Sequence, residues 1–278
     1  ARRGPVDIDV LREEAKAMDA VPGIPCGIPG LEHILYRPGF YVSYMAYLGN
    51  YKTGSIRFEI REHAKAGRSV LCVSAEITEH EMARLLPDVH GVKIVHDTPR
   101  TPEGVVKEIE SWHATLAEDH GQPVVGIDYA QLFRDRKQTG FRAIGETAEA
   151  LQQVFRRLGV IGFVAVQLNR ESQKDGPQIH HARESDELAQ NSDIAFMLET
   201  TGPGKLRVKV GKARWSPPTK EAVDVGFRWE TGELYALGED QVYGDLARGV
   251  VAHLRGCGGR APVKDLYASL GFGGRGRH

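Results

Sequence analysis

Residues 40–54 read FYVSYMAYLGNYKTG. The stretch 40–46 is apolar enough to form a strand covered on both faces. It runs through Ala46-Tyr-Leu-Gly-Asn-Tyr-Lys-Thr53 and Gly54 into a helical segment at 54–66. A strand, a tight turn and a helix that begins at Lys-Thr is the arrangement in which α/β sheets cradle phosphate. The helix N-terminus offers unpaired amides and the positive end of its dipole. Lys52 supplies a cation for terminal phosphates, and the Thr53 hydroxyl is a hard ligand for Mg²⁺. Gly49, Asn50 and Gly54 complete the candidate loop. The consensus GxxxxGK[ST] is not met, because Ala46 stands at the first glycine and Tyr51 at the second. Residue 51 must therefore accept the loop's backbone angles without glycine's freedom, with its ring turned away from the phosphates. Lys-Thr after a strand also arises by chance, so the rest of the chain must decide.

Outward from this loop, strands alternate with helices. Further strands are predicted at 70–75 (VLCVSA), 92–96 (VKIVH), 123–128 (PVVGID) and 160–167 (VIGFVAVQ), each apolar throughout and so expected to be covered on both faces. Helices are predicted at 78–86, 102–119 and 145–158, the last with Ala148, Leu151, Phe155 and Leu158 at helical spacing. The alternation argues for an open, mostly parallel α/β sheet. After residue 190, IAFML, LRVKVG and VDVGFRW are short strands joined by Gly/Pro turns, which predicts an antiparallel extension. Asp128, Glu76 and Gln167 stand at or just beyond the carboxyl ends of three apolar strands, where such sheets bind ligands. An acid ending a buried strand can hold Mg²⁺, and a second carboxylate can polarise an attacking water. Any one of them could merely cap a turn.

Composition narrows the class. With 41% hydrophobic and 26% charged residues over 278 positions, one large globular domain with small appendages can form. A net charge of −1 means that contact with nucleic acid must come from local clusters rather than the whole surface. Two such clusters exist, RDRKQTGFR at 134–142 and RESQKDGPQIHHARES at 170–185. Cys26, Cys72 and Cys257 lie far apart with no metal-ligand spacing, and His180-His181 alone lack a ligand set. No apolar run approaches the ~18 residues of a membrane span, so the expected location is cytoplasmic and no membrane partner is expected.

Taken in order, the segments resemble the motor domain of DnaB-type replicative DNA helicases. GIPCGIPGLEHIL resembles the family's opening segment, a Gly-rich turn before a leucine-bearing helix. SAEITEHEMARLL resembles its strand–Glu–helix motif, GIDYAQLF its Walker B strand, and VQLNRES its strand with a Gln sensor. HHARESDELAQNSDIAFML and VKVGKARWSPP resemble the segments that follow, the second ending in Lys-x-Arg. The similarity spans roughly residues 22–235 and departs from the family at the phosphate loop.

The resemblance implies a RecA-like P-loop NTPase core at 22–238, a linker helix within 1–21 and a small helical tail at 239–278. It implies ATP or another NTP with Mg²⁺, Lys52 and Thr53 binding phosphate and metal, Glu76 as catalytic base, and Asp128 as the metal-associated acid. Gln167 would sense the γ-phosphate. Lys212 and Arg214 would reach the nucleotide of an adjacent subunit, Arg214 as an arginine finger; a solvated edge strand is the plainer alternative. The two basic loops would grip single-stranded DNA through Arg136, Lys137, Arg142, Arg170, Lys174 and Arg183. Implied partners are further copies in a hexamer, and a primase or helicase loader; the implied setting is a bacterial or phage-infected cell.

The ends of the chain carry less. Leu11, Ala15 and Met18 form one stripe of a short amphipathic helix that could cover its own core or dock on a neighbour. Helices predicted at 243–255 and 263–270 resemble a partial winged helix without its recognition helix, which points to a packing appendage. The leading expectation is an NTP-driven helicase. A catalytically impaired scaffold of the same fold and a RecA/RadA-like recombination ATPase are the alternatives.

Overall fold

The computed structural model describes residues 7–237, apart from 48, 50, 118–120, 134–140, 169–185 and 215–221. Nine strands form one sheet in the order β11-β10-β9-β8-β3-β7-β6-β4-β5. The parallel part consists of β3 (Tyr41–Ala46), β4 (Val70–Ser74), β5 (Val92–Val95), β6 (Val124–Asp128), β7 (Ile161–Gln167) and β8 (Ile194–Gly202). Two strands then run antiparallel along it, β9 (Lys205–Ala213) against β8 and β10 (Ala222–Arg228) against β9. Strand β11 (Glu233–Ala236) closes that edge. The fold is thus the mostly parallel α/β sheet with an antiparallel C-terminal extension that the alternation predicts.

The side-chain pattern explains the layering. Along β3, Val42, Tyr44 and Ala46 enter one core while Tyr41 and Met45 enter the other, the period of two expected of a strand covered on both faces. The first face carries α2 (Lys52–Lys65), with Ile56, Phe58 and Ile60 in the core, and α3 (Glu79–Leu85), with Met82. The second carries α4 (Pro102–His113), α5 (Phe141–Leu158) and the short α6 (Asp186–Asn191). One strand departs from expectation. β5 is only half-buried, not covered on both faces, because it is the outermost strand of the parallel side. Strand β9 alternates, with Leu206, Val208 and Val210 inside and Arg207 outside in a bidentate pair with Asp224 at 2.9 and 3.0 Å.

Local chemistry sets the helix boundaries. Thr78 and Glu81 form a reciprocal capping box that starts α3, and Thr101 caps α4 with Pro102 in its first turn. Helix α4 ends at His113, short of the predicted 119, whereas α2 and α5 begin earlier than predicted, at Lys52 and Phe141. A helix α1 (Ile8–Ala20) precedes the sheet; the side chains of Leu11, Ala15 and Met18 lie outside the described residues.

The opening segment is a correction. No leucine-bearing helix follows its Gly-rich turn. Residues 24–36 form the two-residue strands β1 (Ile24–Pro25) and β2 (Leu35–Tyr36), paired antiparallel around tight turns. Cys26, Ile28, Leu31 and Ile34 point into the core, each 1% exposed or less. The stretch between Gly30, at φ +87°, and Pro38 is too short for a helix to satisfy its own terminal groups, so the turns Leu31 N–H to Ile28 O and Ile34 N–H to Leu31 O replace it.

The chain divides into two compact units, Ala1–Tyr235 and Ala236–His278. The predicted helices at 243–255 and 263–270 lie outside the described residues, as does Cys257. Among the described residues no helix is long and apolar enough to cross a membrane, and no three His, Cys, Asp or Glu side chains cluster as metal ligands.

Candidate functional site

The parallel register brings the carboxyl ends of four strands to one edge. Ser74 pairs opposite Asp128, and Ala46 opposite Gln167. Helix α2 starts just beyond β3, so its first turn faces this edge. The Thr53 hydroxyl donates to Asp128 Oδ2 at 2.9 Å. Lys52 is 6% exposed, and its Nζ stands 5.1 Å from the centroid of the Tyr129 ring.

Asp128 is fully buried, and its Oδ1 has no hydrogen-bond partner among the described residues. Burial pushes its carboxyl up to about 6, with the nearby Glu76 charge adding to the rise; the Thr53 hydrogen bond and the Lys52 charge oppose it. A buried carboxylate oxygen without a partner is costly unless a ligand completes it. A hydroxyl, a carboxylate, a lysine and a helix N-terminus with no acidic residue in its first turn form the donor set that Mg²⁺ and a phosphate chain require. The residues present fit a magnesium–nucleoside triphosphate.

Tyr51 resolves the sequence's main departure. It has φ 57° and ψ 26°, the left-handed region that a glycine would normally occupy, and is the only non-glycine residue with positive φ among those described. Its ring turns away onto Phe227, with centroids 4.7 Å apart, and onto Trp229 at 6.3 Å. Gly54 is required for another reason: a Cβ there would come within 2.5 Å of the Phe227 ring.

Glu76 lies two residues past β4 and is exposed, close enough to Asp128 to influence its charge. Sequence reasoning missed the groups that hold its turn. Arg100 Nη2 donates to Ala75 O at 2.9 Å, His96 Nδ1 lies 3.1 Å from Ser74 O, and Ile77 N–H donates to Ser74 Oγ at 3.0 Å. Gln167 ends β7, where the Gln131 amide clamps its backbone: Nε2 donates to Gln167 O at 2.9 Å and Oε1 accepts from Gln167 N–H at 3.3 Å. Only the Ser74–Ile77 turn is local; Arg100 and His96, from the segment after β5, and Gln131, from the segment after β6, have no local sequence signal for these roles.

Lys212 and Arg214 sit elsewhere. Lys212 pairs with Ala195 near the start of β8, so this end of β9 lies at the amino edge of the parallel strands, opposite the Thr53–Asp128 edge. Strand β6, five residues long and ending in Asp128, spans ~16 Å from one edge to the other, which keeps Arg214 from the site of its own chain. Lys212 Nζ donates to Ala189 O at 3.1 Å and Gln190 O at 2.7 Å; Arg214 Nη2 donates to Gln190 O at 3.0 Å. These cations complement the carbonyl end of α6. Partial burial and the Arg214 charge lower the Lys212 ammonium to about 8, with Asp193 opposing. Neither side chain is simply solvated on an edge strand. Asn50, Arg136, Lys137, Arg170, Lys174 and Arg183, and the side chain of Arg142, lie outside the described residues.

Residues 58–228 match the family model described as the DnaB-like helicase C-terminal domain. Solved structures share the fold. One, of a DnaB-like replicative helicase described with its interactions with primase, superimposes with a TM-score of 0.69 at 19% identity, over 83% of this chain and 68% of that one. A second, a structure of an isolated ATPase domain, gives a TM-score of 0.69 at 17% identity, over 85% of this chain and 100% of that one. No curated protein matches the sequence.

Proposed function

The chain belongs to the DnaB-like helicase C-terminal domain family, and from that premise we propose that it is an NTP-driven DNA helicase motor that works as a homo-oligomer on single-stranded DNA in replication. The observation that carries the reading is the Thr53–Asp128 pair beside Lys52 at the carboxyl edge of the sheet. Bound there, Mg²⁺ would neutralise phosphate charge and polarise the γ-phosphoryl group.

The chain's own residues divide the remaining work. Lys52 and the first amides of α2 bind the phosphates, assisted by Gly49, Asn50 and Gly54. Thr53 and the ionised Asp128 hold the metal. Glu76, exposed and carried on a braced turn, accepts a proton from the attacking water. Gln167 ends β7, a few residues before the basic segment 170–185 in sequence, so a group near the γ-phosphate and the proposed DNA-gripping segment share one stretch of chain. Arg136, Lys137, Arg142, Arg170, Lys174 and Arg183 contact the DNA backbone electrostatically. Arg214, on the opposite edge, serves the nucleotide of a neighbouring copy, with Lys212 beside it. That division of one site between two chains calls for a head-to-tail assembly, which the family resemblance makes a closed ring, expected as a hexamer. A primase or loader is the expected accessory partner, in the cytoplasm of a bacterial or phage-infected cell.

The test is Mg-ATP hydrolysis with and without a single-stranded oligonucleotide. Stimulated phosphate release that falls at least ~100-fold in Asp128→Asn is expected. Tyr51 at a glycine position favours a second reading, a nucleotide-binding scaffold; uptake of nucleotide without release would establish it. Filaments instead of rings would point to a recombination ATPase.

A further inference from the structure

We infer that Tyr51 is a positioning residue of the phosphate loop, its ring docked on Phe227 and Trp229 so as to hold by packing a backbone turn that glycine holds elsewhere by conformational freedom. The inference deepens the nucleotide-binding reading and rests on it.

An L-residue in the left-handed region is strained, and such strain persists only where surrounding structure over-determines it. Here that structure is visible. Phe227 is 4% exposed and meets the start of α2 at two points, packing on the Tyr51 ring and filling the space a Cβ at Gly54 would need. Trp229 packs on the same ring and is itself backed by the Arg57 guanidinium, 5.3 Å from its centroid. On the other side, Ser55 donates both its N–H (2.9 Å) and its hydroxyl (3.1 Å) to the Tyr51 carbonyl. Residue 51 is therefore gripped at ring and carbonyl together. Its backbone angles direct the N–H groups of Lys52 and Thr53, which in an α-helix have no intrahelical acceptor and are free for an anion. The tyrosine hydroxyl plays no part; the aromatic face does.

This predicts an unusual order of substitutions, read as affinity for Mg-ADP by calorimetry. Tyr51→Phe binds within about twofold of the parent, because the face is kept. Tyr51→Ala binds about tenfold more weakly, since an unanchored L-residue leaves the left-handed region before the ligand arrives, and ~1.4 kcal/mol corresponds to tenfold. Tyr51→Gly recovers most of that loss, because glycine enters the region freely. Phe227→Ala weakens binding in the parent but not in a Tyr51→Gly background. If turnover occurs, KM moves with these affinities while kcat stays, as the ring touches no reacting atom.

Equal binding by the Ala and Phe variants, or Gly as weak as Ala, overturns the inference. Hydrogen exchange of the backbone at 49–58 without nucleotide gives an independent reading. Exchange about tenfold faster in Tyr51→Ala and in Phe227→Ala, and unchanged in Tyr51→Phe, supports the anchor even should the parent take up no nucleotide; unchanged exchange in all three overturns it. Absence of uptake by the parent removes only the nucleotide reading.

Discussion

Thr53 and Asp128 stand 75 residues apart in the chain and meet across β7, hydroxyl to carboxylate, at 2.9 Å. The contact leaves one oxygen of a fully buried carboxylate without a partner among the described residues, so the pair is poised for a cation and costly without one.

The cost has a pH signature. Burial raises Asp128 from its ordinary 3.8 to about 6. Protons bind the folded form more tightly than the unfolded one, so the ligand-free protein loses stability as pH rises from about 4 through about 6. Two pH units correspond to about 3 kcal/mol as an order of magnitude. Asp128→Asn is expected to melt about 5–10 °C above the parent at pH 7 without nucleotide, and close to it at pH 4. Melting curves across this range check it; equal melting at pH 7 would deny the burial penalty. Because magnesium requires the ionised form, Mg-nucleotide affinity of the parent should rise between pH 5 and 7.

A site divided between two chains is tested by mixing. Arg214→Ala should keep the nucleotide affinity of an isolated subunit and lose at least ~1,000-fold in phosphate release by the oligomer. Combining Arg214→Ala with Asp128→Asn chains should restore a measurable fraction, since some interfaces then join an intact Asp128 to an intact Arg214. No recovery at any ratio would place the arginine outside the chemistry.

Glu76 and Arg100 should separate base from brace. Glu76→Gln is expected to lower kcat by ~100- to 10,000-fold with nucleotide affinity kept. Arg100→Ala removes the donor to Ala75 O and should lower kcat by only about tenfold. If both fall equally, the turn's geometry matters more than the carboxylate.

Beneath α2 lies a buried polar network. Tyr36 donates to Glu59 at 2.8 Å, Tyr44 donates to the same oxygen, and His63 Nε2 lies 3.4 Å from the other. Tyr44→Phe deprives a buried carboxylate of one donor, at a cost of about 1–3 kcal/mol. A fall of about 3–8 °C in melting temperature is expected, with nucleotide affinity within twofold of the parent. A larger loss of affinity than of stability would show that the network acts on the site.

What the sequence makes legible follows from period and position. Apolar runs ending in Asp128 and Gln167 announce buried parallel strands and the edge where ligands sit, because both are local patterns. The Tyr51 turn was readable only as a requirement. Its solution, Phe227, comes from a strand near the far end of the parallel-to-antiparallel series, and no local pattern joins the two. The brace from Arg100 and the clamp from Gln131 stayed hidden for the same reason. The segment 24–36 misled because its leucines and isoleucines suit a helix, while its prolines and glycines allow only turns that drive Ile28, Leu31 and Ile34 inward.

Helix α2 is pinned on several sides. Arg57 donates to Leu85 O at 2.7 Å and Trp229 O at 3.1 Å, Arg61 holds Asp88 at 2.8 Å, and Glu59 takes the two tyrosines. A spindle fastened by so many directional bonds can neither slide nor roll without stranding charges in a dry interior. In the motor proposed above, the spindle would stay put on cleavage of a triphosphate, and the stroke would be delivered by the pieces mounted around it.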